Sequence, residues 1–251
     1  MGHPEKLILI IVMVAVIAGI FFRFNEPLSN VPNDDEVYNF IAAIKLNTPH
    51  DNYDPRLFNY EHPFLGKKIM GLLVNPNENY HNTQIIAPND YSHVYLTAPE
   101  IKSQEWGFRL MTALFGILFL IPVFLLARKM YNSSTALISV TLVAIGIGFI
   151  NLSRITFQDA FLPFFLTFAI YFGYIYYAQK ETKENKFSKW ICLMYFFLFI
   201  TASLLVRMGQ PIIIAIAFLF VFRSQLPKFR WIFLVLILSA VVFYLGYGSE
   251  A

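Results

Sequence analysis

A single cysteine, Cys192, excludes an intramolecular disulfide and leaves the redox compartment unread; inside a long apolar block it reads as a small buried apolar residue. Charge is scarce too. Only 14% of the 251 residues are charged, where an ordinary soluble domain carries about 25%. The net charge is a small +3, and the basic residues fall in short loops between apolar blocks, so no nucleic-acid partner is indicated. Internal repeats and low-complexity runs are missing. What fills the chain is apolar: 57% of it is hydrophobic, Phe alone supplies 27 residues, and this content is gathered into long blocks, not spread at core-like periods. The sequence is that of an all-α polytopic membrane protein.

The apolar blocks run near 7–24, 106–127, 134–150, 157–178, 190–206, 209–222 and 231–247. A crossing helix needs about 20 residues, which 209–222 falls short of. Region 190–222 is read as two helices turning at Val206-Arg-Met-Gly-Gln-Pro211 in preference to a re-entrant hairpin, because Pro211 suits the first turn of a new helix. Seven spans are therefore expected. With the N-terminus inside, Lys6, Arg128, Lys129, Lys180, Lys183, Lys186, Lys189, Arg223, Lys228 and Arg230 are all cytoplasmic, and the short external turns carry only Arg154 and Arg207. The opposite orientation would export every basic loop, so the N-terminus is placed in the cytoplasm. Residues 1–22 read as a retained signal-anchor helix, since no clean small-residue cleavage site follows them. Gly146-Ile-Gly148 is the nearest thing to a break in a span and is read as a close-packing feature.

One long external loop, residues 25–105, supplies the extramembrane part, with surface helices expected at 36–46 and 63–74, the latter opening at Pro63. Asp34-Asp35-Glu36 opens the first of these, as acidic residues commonly open helices. Further along, Arg109, Arg154, Asp159 and Arg207 all fall at span ends on the face that also carries Glu61 and His62. Each has a plain structural explanation: Arg109 and Arg154 can snorkel, and Asp159 can cap its helix or pair with Arg154. Together they bring several arginines and an acidic cluster to one face. Arginine suits a phosphate, since its planar fork stays charged, and a carboxylate nearby suits a proton acceptor.

These residues resemble a known family. Asp35-Glu36-Val37-Tyr38 is similar to the Asp-Glu pair after the first span of the dolichyl-phosphate-mannose–protein mannosyltransferases, and more loosely of other GT-C membrane glycosyltransferases. Tyr60-Glu61-His62-Pro63-Phe64-Leu65-Gly66-Lys67 resembles that family's His-Pro-Pro-Leu-Gly-Lys segment. Trp106-Gly-Phe-Arg109-Leu resembles its Trp-Arg-Leu entry to the second span. Ser153-Arg154 with Asp159 resembles its Ser-Arg…Asp signature at the fourth, and Val206-Arg207-Met208-Gly209 its Val-Lys-Trp…Gly stretch. The motifs follow one another in order over nearly the whole chain. Two departures stand out: Phe64 replaces the second proline, and Arg207 keeps the charge of the usual lysine but not its shape.

The resemblance implies a GT-C-like bundle with the long first external loop, forming a single membrane domain over 1–251. The resembled enzymes continue with further helices, so the chain is expected to be a truncated N-terminal part of a longer one. It also implies transfer of a mannose-like sugar from a polyprenyl- or dolichyl-phosphate donor to an acceptor hydroxyl on a protein, glycan or lipid, at the external or luminal face, with inversion. Asp35 is then the expected base and Glu36 an orienting carboxylate. Arg154 and Arg207 are expected at the lipid phosphate, with Glu61, His62, Lys67, Arg109 and Asp159 as further substrate-binding candidates. No cofactor is obligatory; oxygen ligands from Asp34 and Asp35, with Glu61 and Asp159, leave a divalent metal open. Membrane lipids are expected partners, and membrane-protein partners stay open. The rival reading is a non-catalytic GT-C-like subunit that binds lipid-linked sugar or scaffolds a complex. A transporter is a third, disfavoured by spans almost free of charge.

Overall fold

A computed structural model describes residues 3–24, 64–73, 99–154, 158–179, 186–207 and 209–222, and among them every regular element is helical. In chain order these are α1 (His3–Phe24), α2 (Phe64–Met70) with a 3-10 turn at Gly71–Leu73, α3 (Pro99–Leu118), α4 (Leu120–Met130), α5 (Ser133–Ile145) and α6 (Ile147–Arg154). A 3-10 turn at Gln158–Ala160 then leads to α7 (Leu162–Ala178), α8 (Lys186–Leu204) and α9 (Gly209–Phe222).

Local sequence explains the boundaries. Between α3 and α4 the irregularity is one residue wide, because Pro122 has no N–H to offer the Leu118 carbonyl. Phe119 nevertheless keeps helical torsions, and its N–H reaches the Phe115 carbonyl at 2.9 Å, so Arg109–Met130 runs as one helix. Arg128 and Lys129 sit in the last turn of α4, where positive charge complements the helix dipole. Asn132 then caps α5: its backbone is extended, and its side-chain oxygen accepts from the Thr135 N–H at 2.8 Å. Hydroxyls inside the helices bond back to their own backbone, as at Ser139 to Thr135, Thr141 to Leu137 and Ser203 to Phe199. In apolar surroundings that leaves fewer polar groups unmet.

Among the described residues two helices, Arg109–Met130 and Phe187–Leu204, are long and apolar enough to cross a membrane, and α5 with α6 makes a third if the bent pair is one span. Leu9–Phe24 and Leu162–Ala178 are apolar but shorter. A helix stands where the second surface helix was expected, as α2 and its 3-10 continuation; the first, at 36–46, and the seventh apolar block, at 231–247, lie outside the described residues. The expected turn is also there: α8 closes at Leu204 and α9 opens at Gly209, with Pro211 in its first turn.

One expectation is corrected. Gly146 is crowded, and it is also a true break: α5 and α6 meet at 54° across it. A Cβ on Gly146 would stand 2.8 Å from the Leu142 carbonyl oxygen, whereas one on Gly148 would meet nothing within 4 Å. Gly146 also starts the next helix, its carbonyl accepting from Ile150 at 3.0 Å.

Among the described residues, two packing units stand out. α1 turns a narrow stripe inward, Val12, Val16, Gly19 and Arg23, and Val16 packs against Leu120, Val140 and Ala144. Its Ile10, Ile11, Met13, Val14 and Ile17 face outward, as lipid-facing positions would. α7 and α8 form an antiparallel hairpin packed through aromatic rings, with Phe168 on Phe199 at 4.9 Å and Phe172 on Tyr195 at 4.9 Å. Ala169, Phe196 and Ile200 are buried between them, and so is Cys192, in the small apolar role expected of it.

Candidate functional site

The α7–α8 hairpin brings the start of α7 and the end of α8 to the same end of the bundle. Asp159, on the 3-10 turn before α7, there meets Arg207, just after α8, and Arg207 Nη1 donates to Asp159 Oδ2. The pair is partly open, with Arg207 43% and Asp159 27% exposed. Its geometry replaces both sequence-based explanations of Asp159: the carboxylate pairs with Arg207 instead of Arg154, and the N-cap of α7 is Phe161, with no side-chain cap. The second oxygen, Oδ1, is buried without a hydrogen bond among the described residues.

α2 is fastened to the same place. The Leu65 N–H donates to the Leu205 carbonyl at 3.1 Å, and the helix packs against α3 and the 3-10 turn bearing Asp159. Lys67 on α2 is only 2% exposed. On α3, Arg109 is 6% exposed, so it does not snorkel into solvent. One turn further, the buried Thr112 hydroxyl bridges the Arg109 carbonyl at 3.0 Å and the Ser153 carbonyl at 3.1 Å, tying α3 to the last turn of α6. Arg154 follows immediately, half-buried at the end of α6.

Among the described residues, this end therefore gathers Lys67, Arg109, Arg154 and Arg207 with Asp159. Five sequence candidates are brought to one end of the fold. Asp34, Asp35, Glu36, Glu61 and His62 lie outside the described residues. No three His, Cys, Asp or Glu side chains come together as a metal site among the described residues. Chemically, a lysine and three arginines at one end of the fold are side chains whose charge and, for arginine, planar fork are matched to phosphate oxygens.

Sequence reasoning passed over Arg23 and Thr112 in this region. Arg23, at the close of α1, is 1% exposed, and its Nη1 donates to the Gly19 carbonyl at 2.9 Å and the Ala144 carbonyl at 2.8 Å. In the sequence it looks like the charged flank of an anchor helix; the visible signal was an arginine one residue inside an apolar run. Thr112 was missed because an isolated hydroxyl in an apolar segment carries no distinguishing pattern, while Ser153 enters the Ser-Arg…Asp resemblance but not for the contact it makes.

The family model described as dolichyl-phosphate-mannose-protein mannosyltransferase matches residues 98–247, more than half of the chain. The matched stretch contains Arg109, Arg154, Asp159 and Arg207, while Asp35, Glu36 and Lys67 precede it. No curated protein and no solved structure matches the chain.

Proposed function

Because the chain belongs to the dolichyl-phosphate-mannose-protein mannosyltransferase family, we propose that it transfers a mannose-like sugar from a polyprenyl-phosphate donor to an acceptor hydroxyl at the external membrane face. The observation that carries this reading is the gathering of Lys67, Arg109, Arg154 and Arg207 at one end of an apolar helical bundle. A lipid-linked phosphate is the anion that such a bundle meets at its surface.

The chemistry balances without a cofactor. The acceptor oxygen attacks the anomeric carbon, its proton passes to the Asp35 carboxylate, and the bond from anomeric carbon to phosphate oxygen breaks as the polyprenyl phosphate leaves. In-line attack inverts the anomeric centre. Glu36 orients the acceptor or sugar, and Arg154 and Arg207 balance the charge that grows on the leaving phosphate. Glu61 and His62 help to position the carrier or acceptor.

A second reading draws on the Asp159–Arg207 pair. An arginine already neutralised by a carboxylate is also what a non-catalytic subunit would use to lock its loops. The two readings part in one experiment: the full chain in native lipid is given a panel of polyprenyl-phosphate sugars, and released polyprenyl phosphate is followed. Release with one donor, abolished by Asp35→Asn, is the expected result. No release with any donor supports the scaffold reading, and undiminished transfer by Asp35→Asn removes the base from that residue.

A further inference from the structure

The break at Gly146 leaves the end of α5 with carbonyl groups that the ordinary helical ladder does not serve. In a continuous helix the Val143 and Ala144 carbonyls would accept from the N–H groups of residues 147 and 148. Here the chain turns by 54° between them. Arg23 reaches in from α1 and meets both: Nη1 lies 2.8 Å from the Ala144 oxygen and Nη2 3.3 Å from the Val143 oxygen. A third bond, from Nη1 to Gly19 at 2.9 Å, fixes the guanidinium to its own helix. Among the described residues the hydrogen-bond partners of this buried cation are these three carbonyl oxygens, at the negative end of a helix dipole.

The surroundings are built around the contact. A Cβ on Gly19 would stand 2.3 Å from the Ala144 oxygen, so only glycine lets α1 come this close. A Cβ on Gly116 of α3 would stand 3.3 Å from Arg23 Nε and 2.4 Å from the Ser153 Cβ. Arg23 is thus wedged among α1, α3, α5 and the last turn of α6. That last turn ends in Arg154 and is pinned to α3 through Thr112 and Ser153.

We propose that Arg23 is a positioning residue: by bridging the two carbonyls at the broken end of α5 it holds the bend, and the bend delivers Arg154 to the phosphate-binding end of the bundle. The delivery step rests on the proposed donor-phosphate reading; the bridging of α5 does not. A lysine could reach one of the carbonyls but lacks the fork that spans both.

The two parts are separated by a distance measurement and a kinetic one on the full chain. Spin labels are placed at the outward-facing positions Asn151 on α6 and Ile213 on α9, in a Cys192→Ala background. α6 has 8 residues and is about 12 Å long, so relaxing its bend moves its tip by up to roughly 11 Å. Arg23→Met is expected to shift and broaden the distance distribution, and Arg23→Lys to do so by less. With the polyprenyl-phosphate donor that the unlabelled chain uses, Arg23→Met should raise the donor KM about 10- to 100-fold, as misplacement of a binding group does. The acceptor KM should stay put, which a general loss of packing would not achieve. An unchanged distance distribution in either variant that accumulates in the membrane overturns the proposal, as does a normal donor KM with a shifted distance. If Arg23→Met does not accumulate, Arg23→Lys decides by the same two readouts. If the unmodified chain transfers from no donor, the functional reading has failed, and the distance measurement still judges the bridging of α5.

Discussion

Asp159 and Arg207 form a pair whose two ends do different work. With both side chains partly exposed, such a pair contributes no more than about 1 kcal/mol to stability. In the proposed donor-phosphate role its value lies in aiming the guanidinium, so the variants should separate in kinetics more than in folding. Arg207→Met removes a charge-assisted contact of about 1.5–3 kcal/mol and should lower kcat/KM for the donor about 10- to 100-fold. Asp159→Asn should lower it less, and the double variant should be no worse than Arg207→Met alone, because the carboxylate acts through the arginine. Independent, multiplying losses in donor kinetics would mean that Asp159 touches substrate on its own account. At this scale the sequence named Asp159 and Arg207 as neighbours of one face. Their partnership was not legible, since it depends on an antiparallel hairpin that closes 48 residues of chain.

Among the elements, the bent pair α5–α6 shows how a sequence motif can be noticed and misread. Gly146 and Gly148 stand one residue apart and look equivalent, but their surroundings differ. Gly146 has torsions open to any residue, φ −63° and ψ 117°, and what restricts it is the Leu142 carbonyl 2.8 Å from a would-be Cβ. Gly148, inside α6 with open space around it, is restricted by nothing. Gly146→Ala is therefore expected to destabilise the chain by about 1–3 kcal/mol, as overpacking does. Gly148→Ala should be neutral or stabilise by about 0.4–1 kcal/mol through the unfolded state. Thermal unfolding in detergent measures both, and equal effects would show that the break does not depend on Gly146. α2 and the Gly209 start of α9 were legible because Pro63 and Pro211 are local signals. The break was not, because the crowding that keeps glycine there and the arginine that meets the freed carbonyls from another helix become visible only in three dimensions.

Across the whole molecule, the scarcity of charge and the concentration of the charge that exists have a common consequence. Lys67 and Arg109 are almost fully covered by the bundle, while Arg154 and Arg207 sit nearer its surface. Dissolved ions screen exposed charges strongly and buried ones much less. Raising salt from about 0.05 to about 0.5 M shortens the screening length from roughly 14 to roughly 4 Å. If the covered cations carry most of the hold on the donor phosphate, the donor KM should change by less than about twofold over that range. The residual dependence should then weaken in Arg207→Met, since one of the two cations nearer the surface would be gone. A steep rise of donor KM with salt would instead place the phosphate on Arg154 and Arg207, at the surface. In that case Lys67 and Arg109 serve to hold α2 and α3 together, and their loss should register in unfolding temperature before it registers in donor KM.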